Sequence, residues 1–144
     1  MRSITRVIES RAGGPRDTVH ACTDVTGFGL IGHASEVAAA SGCTLEIHVD
    51  EVPILEGARD LAEDNISGGG RTNVEHFAGG VTRPAQVDAG LLALLYDPQT
   101  SGGLLIAVDA AQRATLTAAL SAARLPVWRI GRVCERAAAA IVLR

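Results

Sequence analysis

Between residues 18 and 49 the sequence is punctuated as strand, turn, helix, stop and strand, and that order leaves few folds open. Residues 18–23 (Thr-Val-His-Ala-Cys-Thr) favour extended structure and run up to Asp24. Gly27, Gly29 and Gly32 follow, and a helical pattern extends from 28 to 40 before Ser41-Gly42 stops it. Residues 43–49 then alternate. Cys43, Leu45, Ile47 and Val49 fall on one face and Thr44, Glu46 and His48 on the other, as in a half-buried strand. Elements of this kind bury their apolar sides only in layers.

The rest of the chain fills in those layers. Ile4, Val7 and Ile8 recur at helical spacing, with Glu9 and Arg11 following, and predict an amphipathic opening helix that Gly13-Gly14-Pro15 breaks. Pro53 suits the first turn of a helix running to about 64. The segment 67–73 reads as a flexible loop, 86–95 as a helix ended by Asp97-Pro98, and 104–108 as a short apolar strand. An alanine-rich helix is expected over 110–123, then two closing strands, 127–133 and 139–143, about a turn at Glu135-Arg136. Strands and helices mix without strict alternation, which predicts an α+β fold: one layered domain with a mixed sheet over residues 1–144. Aromatic residues make up only 3% of the chain, so the core must be built from small aliphatic side chains in closely spaced layers.

Charge and cysteine usage exclude several functions. The net charge is -3, and all 13 basic residues are arginine. Arg59, Arg71, Arg83, Arg113 and Arg124 share no run or stripe, so no nucleic-acid footprint is expected. With no lysine present, a mechanism that needs one cannot be completed within this sequence. Cys22, Cys43 and Cys134 are widely spaced and form no CxxC pair, which predicts free thiols in a reducing cytoplasm. No apolar run approaches a membrane span, and the opening residues lack the apolar core of a secretory signal.

Three segments could carry chemistry. In Thr23-Asp24-Val25-Thr26-Gly27-Phe28-Gly29 a carboxylate ends a strand just before glycines and a helix start. A hard oxygen ligand there suits Mg²⁺, and the free N–H groups of a helix amino terminus favour phosphate oxygens. The structural alternative is that Asp24 or Thr26 caps the helix, the commoner use of such a spacing. Gly27, Gly29 and Gly32 also spell the dinucleotide fingerprint, with Asp50 placed as its ribose acid. Asp24 would put a negative charge near the pyrophosphate, however, and no run of βαβ units follows. The second segment, Asp97-Pro98-Gln99-Thr100-Ser101-Gly102-Gly103, could form an anion-binding concavity or simply a turn into the next strand. The third, Gly68-Gly69-Gly70-Arg71-Thr72-Asn73, could close a mobile loop over a small anion or be plain surface. His20 and Cys22, with Cys43, are a poor zinc set, and His33 and His48 read as solvated or structural.

Taken together, residues 20–33 (HACTDVTGFGLIGH), 95–105 (LYDPQTSGGLL) and the GGGRTN segment resemble, in order, three signatures of the selenophosphate synthetases (selenide, water dikinases). The resemblance implies the carboxy-terminal domain of an aminoimidazole ribonucleotide synthetase-like protein. Such an enzyme converts ATP, selenide and water to selenophosphate, phosphate and AMP, as a homodimer, with Mg²⁺ on the phosphate chain. It further implies that Asp24 supplies one metal ligand. Thr26, Gly27, Gly29, Gly69, Gly70, Arg71, Asn73, Asp97, Gln99, Thr100, Ser101, Gly102 and Gly103 become the candidate phosphate or substrate contacts. Nothing here resembles that family's ATP-binding amino-terminal half or its reactive cysteine and lysine. With an opening helix, the domain's first strands would be missing too, so a partial chain, inactive alone, is expected. Two alternatives remain: another ATP-dependent synthetase or kinase of the superfamily, or a non-enzymatic domain that binds an anion or a protein partner.

Overall fold

The computed structural model describes residues 5–10, 19–62, 64–98 and 102–144, the first of these segments through its backbone. In chain order the elements are β1 (Thr5–Ser10), β2 (Val19–Asp24), α1 (Gly29–Ser41), β3 (Thr44–Ile47), α2 (Ala58–Ala62), α3 (Gly68–Phe77), β4 (Val81–Thr82), α4 (Ala89–Tyr96), β5 (Leu104–Asp109), α5 (Arg113–Ala122), β6 (Val127–Cys134) and β7 (Ile141–Leu143). The strands form one mixed, 7-stranded sheet in the order β2-β5-β1-β6-β3-β7-β4. β1 pairs in parallel with β5 and β6, β3 with β7, and β4 with β7. β2 is antiparallel to β5, and β3 to β6. This is the α+β layered architecture that the alternation pattern requires.

The core lies between the sheet and the group α1, α3 and α4. Ile31, Leu45, Ile47, Leu95, Ile130, Ile141 and Leu143 are fully buried in it. Each such aliphatic side chain contributes about 1.5–3 kcal/mol on leaving water. α5 is different. It bridges β5 to β6, packs chiefly on β6 and buries none of its residues.

Several expectations need correction. Residues 5–10 form no helix; they are strand β1, flanked on both sides in mid-sheet. Val7 and Ile8 are β-branched, and pairing with two parallel neighbours overrides a weak helical spacing. A strand in this place gives no sign that the domain's first strands are missing. β3 is buried at all four positions rather than on one face. It lies between β6 and β7, and its polar residues are satisfied internally. The Thr44 hydroxyl donates to the Ala139 carbonyl at 2.7 Å and accepts from the Ala137 amide at 2.9 Å. Glu46 takes ion pairs from Arg132 at 2.8 Å and Arg144 at 3.2 Å.

The closing strands are not a hairpin, because β3 lies between β6 and β7, and the 135–140 connection passes over Thr44. The helix expected from Pro53 to 64 shrinks to Ala58–Ala62, since Gly57 has a φ of 75° that no α-helix admits. The loop expected over 67–73 is the start of helix α3, as described below.

Candidate functional site

β2 ends at Asp24, and the chain turns through Val25 to Phe28 into α1. The turn is tied to the second signature by a reciprocal pair of backbone bonds. The Val25 amide donates to Gly103 at 2.8 Å, and the Gly102 amide donates to Val25 at 2.9 Å. Gly29 brings the two segments closer still. Its φ is 69°, and a Cβ there would lie 2.8 Å from the Tyr96 carbonyl carbon and 3.0 Å from the Asp97 oxygen. A side chain at position 29 therefore meets both backbone strain and collision.

The third segment closes the constellation. Ser67 caps α3, its hydroxyl accepting from the Gly70 amide at 3.0 Å, and the three glycines form the first turn of the helix. Gly69 and Gly70 lie against the ring of Pro98. From the next turn Asn73, only 6% exposed, reaches inward. Its amide nitrogen donates to the Gly27 carbonyl at 3.0 Å and to the Tyr96 carbonyl at 2.9 Å. One side chain thus joins the first and second signatures from the third. The sequence alone offered Asn73 as an anion contact; its hydrogen bonds make it an internal clamp.

The other candidates divide. Asp24 stands exposed at the strand end, and among the described residues its carboxylate takes no hydrogen bond or ion pair. It does not cap α1, whose N-cap is Phe28 with no side-chain bond. Thr26 does not cap it either. Its hydroxyl meets His33 Nε2 at 3.0 Å, while its carbonyl accepts from the Gly29 amide at 3.0 Å. The capping alternative for both residues is therefore excluded.

Arg71 and Thr72 are exposed but bonded to their own helix region. Arg71 Nη1 donates to the Ile66 carbonyl at 2.9 Å and the Thr72 hydroxyl to Gly68 at 3.2 Å. Asp97 is half-buried at the end of α4. Gln99, Thr100 and Ser101 lie outside the described residues. Sequence reasoning missed Ser67, although a serine three residues before Gly70 is a legible cap signal, and it set aside His33. His33 stacks at 5.5 Å on Phe28, which in turn stands 5.7 Å from Phe77.

Among the described residues no group of three or more His, Cys, Asp or Glu side chains could hold a metal ion, so neither a zinc set at His20 and Cys22 nor a complete metal centre is present there. A lone exposed carboxylate beside a turn fits one share of a hard cation such as Mg²⁺, which takes one or two carboxylates and fills its remaining positions with water and phosphate. Cys22, Cys43 and Cys134 are free thiols, and burial pushes the Cys43 thiol up. Among the described residues no helix is long and apolar enough to cross a membrane.

The chain is similar to known proteins in sequence and in fold. Residues 2–144 match the family model described as AIR synthase related protein, C-terminal domain. A selenide, water dikinase of Caldanaerobacter subterraneus subsp. tengcongensis is 43% identical over 120 residues, covering 82% of this chain and 35% of that protein. One from Pelobacter propionicus is 42% identical over 128 residues, covering 88% and 37%. One from Geobacter metallireducens is 51% identical over 90 residues, covering 62% and 26%. The chain thus spans about a third of the length of the curated relatives it matches. Among solved structures, a thiamine-monophosphate kinase from Stenotrophomonas maltophilia shares the fold, with a TM-score of 0.54 at 19% identity over 89% of this chain and 32% of that one. With its mixed sheet, its three joined signatures and these relatives, the chain belongs to the AIR synthase related protein family as a carboxy-terminal domain, and its close sequence relatives there are named selenide, water dikinase.

Proposed function

We propose that this domain is the carboxy-terminal part of a selenide, water dikinase, a phosphotransferase that makes selenophosphate, phosphate and AMP from ATP, selenide and water. The observation that carries the reading is the convergence of three separate segments, through Asn73, on one turn beside an exposed carboxylate. A clamp of this kind fixes the position of Asp24 without spending its charge. Preorganised charge is what phosphoryl transfer asks of a protein, because the chemistry is mainly positioning and electrostatic stabilisation.

In this reading Asp24 holds one side of a Mg²⁺ whose other ligands come from ATP, water and an amino-terminal half. Bound Mg²⁺ would neutralise phosphoryl charge. The Gly27 peptide, held by Asn73, and the paired backbone at Gly102 and Gly103 shape the wall on which the phosphate chain rests. The catalytic cysteine and lysine come from the amino-terminal half, this sequence having no lysine. ATP binding, homodimer formation and a cytoplasmic setting follow from the same reading.

The test is reconstitution. The chain alone should consume no ATP in response to selenide. Joined to, or mixed with, an amino-terminal half from a relative, it should release AMP in a selenide-dependent manner. ATP consumption that is indifferent to selenide in the reconstituted protein would assign the domain to another phosphotransferase.

A further inference from the structure

We propose that His33 is a positioning residue for the same site, holding the Thr26 hydroxyl so that its proton points outward as a donor to a phosphate oxygen. The inference rests on the function proposed above and adds a residue to it. Thr26 is two residues past Asp24, in the turn before α1, and His33 is seven residues on, within the helix. Thr26 Oγ1 and His33 Nε2 are 3.0 Å apart and partly buried. The backbone at Thr26 is fixed independently by the Gly29 amide and by the pairing of Val25 with Gly102 and Gly103. Only the direction of the hydroxyl proton is then left to be set.

A threonine hydroxyl has one proton and two lone pairs. If Nε2 carries hydrogen, it donates to Thr26, and the threonine proton is free to bond an anion. That holds for the neutral Nε2–H tautomer and for the imidazolium alike. Only the Nδ1–H tautomer reverses the bond and turns the threonine proton inward. Nδ1 has no hydrogen-bond partner among the described residues that would hold a proton there. The ring is held in place from outside by Phe28, 5.5 Å away and tilted by 35°, which is braced in turn by Phe77. His33 is thus fixed by packing, and among the described residues its one hydrogen bond into the site is to Thr26.

The experiment uses the full chain and needs no selenium chemistry. Long-range proton–nitrogen NMR reads the His33 tautomer directly, and titration with inorganic tripolyphosphate and Mg²⁺ reads anion contact at the Thr26 signals. The Nε2–H form is expected, with Thr26 shifting on addition of tripolyphosphate. His33→Gln, which keeps a donor, should retain this response. His33→Glu, which can only accept, should weaken it by about tenfold or more. His33→Leu should lose the response while melting as a folded domain, and a variant that fails to melt cooperatively is replaced in the comparison by the glutamine and glutamate pair. An Nδ1–H tautomer overturns the proposal. So does a wild-type chain whose Thr26 ignores tripolyphosphate, or a glutamate variant that binds as wild type does. Failure of selenide-dependent turnover with these responses intact would strike the selenium reading and leave the positioning role standing.

Discussion

The side-chain amide of Asn73 donates to the backbone carbonyl of Tyr96 across 2.9 Å, inside a contact that solvent barely reaches. A second bond from the same nitrogen goes to Gly27 at 3.0 Å. Both partners are acceptors, so the position needs a donor and not merely polarity.

Asn73→Asp tests this with almost no change in size. The carboxylate would face two carbonyl oxygens with nothing to donate. A loss of roughly 2–4 kcal/mol is expected, more than for Asn73→Ala, because an unpartnered buried charge costs more than a missing bond. Urea unfolding ranks the two variants; equal stabilities would mean that the amide does not clamp.

Gly29 and Gly27 belong to one turn but should respond differently to alanine. At Gly29 a Cβ combines a φ of 69° with a 2.8 Å approach to the Tyr96 carbonyl carbon, while at Gly27 it meets nothing within 4 Å. Gly29→Ala should cost at least about 2 kcal/mol, and Gly27→Ala under about 1. Thermal melts of the pair decide it, and a Gly27 variant as unstable as the Gly29 one would contradict the geometry.

Asp24→Asn should leave folding within about 0.5 kcal/mol of wild type, since the carboxylate is exposed and bonds to nothing among the described residues. In the reconstituted enzyme it should lower turnover by about 100-fold or more, in keeping with the several kcal/mol that metal stabilisation of phosphoryl charge supplies. Turnover within about twofold of wild type would remove Asp24 from the metal.

Acid should act through Glu46. Burial raises its carboxyl, but hydrogen bonds from Arg132, His48 and Arg144 and the Arg132 charge outweigh that and bring it from an ordinary 4.5 to about 2. A carboxyl depressed on folding stabilises above its unfolded value and loses that contribution as the pH falls through the folded one. Stability attributable to Glu46 should therefore disappear between about pH 4.5 and pH 2. At ~1.4 kcal/mol per pK unit it is at most roughly 3.5 kcal/mol, reduced because both arginines are more than half exposed. Comparing wild type with Glu46→Gln across that range, the stability difference should shrink as acid is added; a constant difference would refute the assignment.

Much of this was legible beforehand, for identifiable reasons. β2, α1, α4 and β5 follow from local punctuation, and the Asp24 turn from a strand end meeting glycines. β1 reads as helix because Ile4, Val7 and Ile8 fall at helical spacing, while the β-branched pair Val7-Ile8 suits a strand as well, and only the flanking strands decide between them. Helix α3 hid behind three glycines that resemble a loop; the Ser67 cap and the docking of Asn73 and Phe77 hold it in place. In sequence Asn73 is a candidate anion contact, and its bonds to Gly27 and Tyr96 are not legible there, because no pattern in sequence reports which way an amide points. The burial of Glu46 was invisible for a similar reason, since Arg132 and Arg144 are its neighbours only in the sheet.

Among the described strands, no two consecutive in sequence lie side by side. Thr5 pairs with both Leu104 and Val127, and β3 lies between β6 and β7, the two strands that follow all the others in sequence. No hairpin is available to nucleate such a sheet, so each ladder must first close a long loop and bear its entropy. On the ribosome β1 emerges well before its partners, which are translated about a hundred residues later at roughly 5–20 residues per second. For those seconds a mid-sheet strand has both backbone edges without a native neighbour, which leaves it open to a chaperone or to an aggregate.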